Sequence, residues 1–231
     1  MPALEIRGLT AGHQSVPVVR DLDLTVSPGE IVALLGPNGA GKTTTLDTVC
    51  GALPALGGAV QVFGRPVKSL REAARRRLAY VPENRGLFRS LTVDENLRLR
   101  SRTRAAAGEL YERFPTIGRL RNRQTALLSG GEQPLLALMC ALSLNAELLL
   151  VDEMTMGLSP AVVLDLAEVI KQVAADGVAV LFVEQHVHLA LELCDRAYVL
   201  NHGSCVLEGA GDELLGELSA TYFAHDPSVN G

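Results

Sequence analysis

The segment Gly36-Pro37-Asn38-Gly39-Ala40-Gly41-Lys42-Thr43 constrains this chain more than any other. It matches the pattern G-x4-G-K-[ST], and its setting matters as much as its letters. Residues 31–35 before it are all apolar, as in a strand buried on both faces. A helical stretch opens behind it at Thr44. Glycines let the backbone wrap closely around an anion, and the first N–H groups of a helix point at it. Lys42 adds a point charge for the β- and γ-phosphates, and Thr43 a hydroxyl for Mg²⁺. The loop therefore predicts a nucleoside triphosphate at the carboxyl end of a central strand.

The flanking pattern supplies the rest of such a sheet. Residues 3–9 and 18–26 alternate apolar and polar, as half-buried strands do. Pro28-Gly29 is a turn, and Gly57-Gly58 is expected to break the chain before a strand at 59–63. Residues 78–82, 148–151 and 178–183 read as further strands, with 197–200 and 204–207 as a hairpin around Asn201-His202-Gly203. Helices are predicted at 162–175 and 187–193. From 88 to 146 the pattern is helical and polar. Apolar strands alternating with helices imply a mainly parallel sheet, hence an α/β fold.

Two further segments bear on the nucleotide. Leu148-Leu149-Leu150-Val151-Asp152-Glu153 ends an apolar strand in two acids. Asp152 is placed to hold Mg²⁺, and Glu153 to take a proton from an attacking water. Leu128-Ser129-Gly130-Gly131-Glu132-Gln133 leaves backbone N–H groups free at a helix start. The first loop already serves one nucleotide, so this second nest requires another to bind.

Composition narrows the classes. The 231 residues are 48% apolar, enough for a core without staples. The net charge of −5 argues against nonspecific nucleic-acid binding. Sixteen of the 21 basic residues nevertheless fall between Arg65 and Arg123, with Arg98, Arg100, Arg102 and Arg104 in one run. They fit either a solvated polar face or a contact surface for a partner or an anionic headgroup. Cys50, Cys140, Cys194 and Cys205 are far apart, which suits a reducing compartment. No apolar run has the roughly 18 residues of a membrane span. The start, Met1-Pro2-Ala3-Leu4-Glu5, lacks a signal-peptide pattern.

The phosphate loop, the Ser129-Gly130-Gly131-Glu132 signature and the Asp152-Glu153 strand, in this order, resemble the ABC-type ATPases over essentially the whole chain. The resemblance implies a RecA-like lobe with an N-terminal antiparallel part at 1–87 and 147–231, and an inserted helical subdomain at 88–146. It implies ATP and Mg²⁺ as cofactors, bound by Gly36, Pro37, Asn38, Gly39, Ala40, Gly41, Lys42, Thr43 and Thr44, with Thr43, Glu83 and Asp152 at the metal. It implies a head-to-tail dimer in which Ser129, Gly130, Gly131 and Glu132 meet the partner's ATP. Tyr80 to Phe88, Leu91 to Leu97, Gly157-Leu158-Ser159-Pro160 and Val183-Glu184-Gln185 are similar to the branched-chain amino-acid importer ATPases of the LivF type. That subgroup implies a second, different ATPase subunit, with a second copy of this chain as the alternative, transmembrane permease subunits, an extracytoplasmic solute-binding protein acting indirectly, and a peripheral place on the cytoplasmic membrane face. A scaffold ATPase of iron–sulfur assembly is the alternative. Chromosome-type and translation-type relatives do not fit, since this chain has neither a long coiled-coil insertion nor two ATPase copies.

Several positions depart from the family pattern. His13 stands where an adenine-stacking aromatic is usual, and Glu83 where a Gln is usual. Strand register puts Gln185 in place of the switch histidine, with His186 next. Successive residues of a strand face opposite sides, so only one of the two reaches the phosphate while the strand continues. Slow hydrolysis at this chain's own phosphate loop is expected. Pro134 directly follows the signature, so a kink or a reset helix start is expected. Cys140 replaces an Arg, and Met154 a Pro. His186 and His188 alone do not make a metal site. Thr92 and Glu95 are spaced as a capping box, and the helix they start borders the groove that the resemblance assigns to a membrane subunit.

Overall fold

The computed structural model describes residues 1–101 and 104–215. Arg102 of the arginine run, and 216–231 at the end of the expected lobe, lie outside the described residues. β1 (Leu4–His13) and β2 (Val16–Val26) form an antiparallel hairpin. Its two-residue turn, Gln14-Ser15, is left-handed at φ 49° and 65°, the twist that suits such hairpins. β4 (Gly57–Val62) joins the other side of β1, followed by β5 (Arg65–Pro66). The glycine pair does not break the chain ahead of this strand but begins it. A Cβ on Gly58 would stand 2.3 Å from the Gly8 carbonyl oxygen, so glycine there permits strand contact that a side chain would block.

The second sheet has the order β10-β9-β3-β8-β7-β6. Its strands are β3 (Ile31–Leu35), β6 (Leu78–Val81), β7 (Leu148–Asp152), β8 (Ala179–Glu184), β9 (Arg196–Asn201) and β10 (Ser204–Ala210). All pairings are parallel except the β9–β10 hairpin. Every residue of β3, β7 and β8 is buried. The strand period of two sorts them to opposite faces. Val32, Leu34, Leu150 and Leu181 pack toward the antiparallel sheet, with Leu46 and Val49 of α1 (Lys42–Val49) between. Ala33, Leu35, Val151 and Phe182 pack toward α6 (Glu132–Leu142), α7 (Pro160–Ala175) and α8 (Val187–Leu193).

α2 (Leu70–Arg75) escaped sequence reading because it is short and charged. Its signal is a cap: Ser69 Oγ accepts the Glu72 N–H, the spacing of a capping pair. Between β6 and β7 lie α3 (Val93–Arg100), α4 (Arg104–Arg113), α5 (Pro115–Gly118), a 3-10 turn at Thr125–Leu127, and α6. These helices share an apolar cluster that includes Val93, Leu97, Phe114, Ile117, Leu136 and Met139. Thr92 and Glu95 close the expected capping box reciprocally, at 3.2 and 2.8 Å. Cys140 is fully buried in this cluster, and burial pushes its thiol up to about 11. It is a packing residue there.

Candidate functional site

The carboxyl ends of β3, β6, β7 and β8 bring four segments together. After β3 the phosphate loop turns through left-handed Gly39 and Gly41, at φ 79° and 104°. A Cβ on Gly41 would come within 2.7 Å of Val19 Cγ2, so this position requires glycine on two counts. Lys42 is only 4% exposed, and its ammonium donates to the Gly36 and Pro37 carbonyls at 2.8 and 3.2 Å. It also lies 3.5 Å from Glu153 Oε1. The cation is thus folded over the loop, next to where its N–H groups and α1 present positive charge.

β7 ends at Asp152, 1% exposed. Thr43 Oγ1 donates to its Oδ1 at 3.4 Å, and the Tyr80 hydroxyl to its Oδ2 at 3.1 Å. Burial pushes this carboxyl up; the two hydrogen bonds pull it down, and Glu153 and Glu83 raise it further. Among the described residues no cationic side chain pairs with Asp152. A buried carboxylate beside a threonine hydroxyl is a hard oxygen set of the kind Mg²⁺ takes. The residues therefore fit the ion. Among the described residues no three His, Cys, Asp or Glu gather as a metal cluster of their own.

Glu153 follows in the left-handed region, at φ 43°. Its Oε2 accepts from Gln185 Nε2 at 2.6 Å. Asn38, Gly39, Lys42, Thr43, Thr44, Glu83, Glu153 and Gln185 line one open cleft of about 370 Å³. Val18 and Met156 line it too, and sequence reading singled out neither. It also missed Tyr80, on β6, as the partner of Asp152, a contact between residues far apart in the chain.

Other expected residues lie elsewhere. His13 ends β1, exposed, and does not line the cleft. His186 is exposed at the N-cap of α8 and does not line the cleft. Ser129 and Gly130 are exposed ahead of α6, also away from this cleft. Ser129 and Glu132 satisfy each other: Ser129 N–H donates to Glu132 Oε2 at 2.7 Å, and Glu132 N–H to Ser129 Oγ at 3.3 Å. The helix start is reset to Glu132, so Pro134 falls in the first turn, where a missing N–H costs little. Gln133 ties the signature to the loop after β6 by accepting from Arg85 Nη1 at 2.9 Å.

A parallel sheet with a phosphate loop on β3 and an acidic pair on the second strand over, β7, defines a P-loop ATPase cassette. The chain belongs to the ABC transporter family, whose model matches residues 19–156. It is 38% identical to the high-affinity branched-chain amino acid transport ATP-binding protein BraG of Pseudomonas aeruginosa, over 88% of this chain and 91% of that one. It is 35% identical to the lipopolysaccharide export system ATP-binding protein LptB of Escherichia coli K12, over 93% of each. A solved ATP-binding subunit of an ABC transporter superposes with a TM-score of 0.82, at 29% identity, covering 94% of this chain and 93% of that one. The protein is an ATPase of the transport-coupled type.

Proposed function

We propose that this chain is the ATP-binding and hydrolysing subunit that energises an importer of branched-chain amino acids or related small solutes. The similarity to BraG, over nine-tenths of both proteins, carries the solute assignment. The cleft supports the chemistry. Lys42 and the loop N–H groups hold the phosphates, and His13, outside the cleft lining, is the residue we assign to the adenine. Thr43, Asp152 and Glu83 hold Mg²⁺, which offsets the phosphate charge when bound. Glu153 accepts a proton from the attacking water, and Gln185 orients it. Ser129, Gly130, Gly131 and Glu132, outside this cleft, serve the ATP of a second ATPase subunit. The helical unit at 88–146 presents them. ATP closes the pair and hydrolysis reopens it, which moves the transmembrane permease subunits. The chain then works at the cytoplasmic membrane face, with a solute-binding protein delivering cargo from outside.

LptB is nearly as similar and is covered more fully, which favours a second reading in which the permease exports a lipid. Co-purification of the native complex and reconstitution in vesicles separate the two. ATP-driven uptake of leucine, isoleucine or valine, dependent on Lys42, supports import. Capture of lipid-exporting membrane subunits, with no uptake of any of the three, overturns it.

A further inference from the structure

The loop that carries Glu153 is fastened from both sides. On the cleft face Gln185 holds the Glu153 carboxylate. In the plane of the sheet the Glu153 N–H donates to the Val183 carbonyl at 3.0 Å. On the opposite face the Thr155 N–H donates to Glu184 Oε1 at 3.2 Å. Neighbours at a strand end point to opposite sides, so Gln185 and Glu184 grip the same loop from front and back.

Glu184 is an unexpected residue for the back position. It is 4% exposed, against a cavity of about 20 Å³ lined by Val151, Leu166, Ile170 and Phe182. A carboxyl in such surroundings is costly unless it is bonded. Packing alone would favour an apolar side chain. The Thr155 hydroxyl lies near the same carboxyl and helps to draw it down, but it is outside hydrogen-bond geometry; the backbone N–H makes the bond that meets it.

That N–H lies two residues after a strained one. Glu153 is a non-glycine residue in the left-handed region, a conformation that persists only where its surroundings over-determine it. We propose that Glu184 is a positioning residue for hydrolysis: by accepting the Thr155 N–H it keeps Glu153 in its left-handed turn and aims its carboxylate into the cleft. The same bond sets Met156, which lines the cleft from the next position.

The inference rests on the reading of Glu153 as general base, and both are tested on the full chain in its transporter complex. Glu184→Met keeps an unbranched side chain of similar length, suits the apolar lining and removes the acceptor. Its kcat falls about 10- to 100-fold while the KM for ATP stays within about twofold, the pattern of a misplaced reacting group. Glu184→Gln retains an acceptor oxygen and turns over within about threefold of the wild type. Wild-type kcat in Glu184→Met overturns the proposal, and so does an equal loss in Glu184→Gln. Where methionine prevents folding, Glu184→Asp takes its place: it withdraws the acceptor by one methylene and shows the same kcat loss, and wild-type turnover overturns the proposal. Glu153→Gln reports on the underlying reading separately. Retained turnover there removes the general base, whatever the Glu184 variants do.

Discussion

Gln185 Nε2 donates to Glu153 Oε2 at 2.6 Å, while His186 stands at the N-cap position of α8, outside the cleft lining. An amide therefore stands beside the acidic residue. An amide donates a hydrogen bond but carries no proton onward. Gln185→Ala is expected to lower ATP turnover about tenfold or more, since it frees Glu153 from its orienting contact. His186→Ala leaves turnover near the wild-type value. Steady-state hydrolysis by both variants in the assembled complex decides. Loss confined to His186→Ala would make the histidine the switch residue.

Tyr80 and Asp152 offer a second test. The tyrosine hydroxyl is one of two donors that hold the buried carboxylate, and Tyr80 is not among the residues that line the cleft. Tyr80→Phe removes one hydrogen bond, worth about 1 kcal/mol, and lets the carboxylate rotate. The Mg²⁺ concentration for half-maximal hydrolysis should rise about fivefold, as that energy implies. Affinity for ATP without Mg²⁺ should not move. Titration of hydrolysis against Mg²⁺ at fixed ATP reads the first, and equilibrium binding with chelator present reads the second.

The central sheet was legible because each buried strand is an uninterrupted apolar run, and residues 31–35, 148–151 and 178–183 announce themselves. The phosphate loop and the acidic pair were legible because their backbone geometry demands particular residues at fixed spacing. What stayed hidden depends on contacts between distant segments. Nothing in the letters links Tyr80 to Asp152, or Arg85 to Gln133, since only the tertiary fold makes them neighbours. The glycine pair at 57–58 was read as a break because glycine weakens a strand. Its true cause is the close approach of β1, a tertiary fact. The reset at Pro134 was one of two outcomes the local rule allowed, and the helix starts at Glu132.

Asn96 is the polar keystone of the helical unit. It is 1% exposed. Its Nδ2 donates to the Phe88 and Thr92 carbonyls and to Thr125 Oγ1, at 2.9, 3.0 and 3.0 Å. Its Oδ1 accepts the Phe88 N–H at 2.9 Å. Asn96→Ala strands several buried groups at once, so the loss of stability should be about 2–4 kcal/mol. Denaturant midpoints at constant slope measure it. A loss under about 0.5 kcal/mol, the size of an ordinary surface change, would mean that water replaces the side chain.

Glu184 also makes stability depend on pH. Burial raises its carboxyl above the ordinary glutamate value, while contacts with Thr155 and the nearby His186 draw it back down. The folded state therefore holds this proton more tightly than the unfolded state, whose glutamate titrates near about 4.3. By linkage, stability from this group is complete below that value and is lost as pH rises through the higher folded-state pKa. Glu184→Gln has no charge to bury. Its Tm should exceed the wild-type value at neutral pH. The difference should shrink as pH falls and vanish near the ordinary glutamate range. Thermal unfolding of both proteins across that interval supplies the check. A difference that is constant with pH would show that the carboxyl is already neutral, or already solvated, throughout.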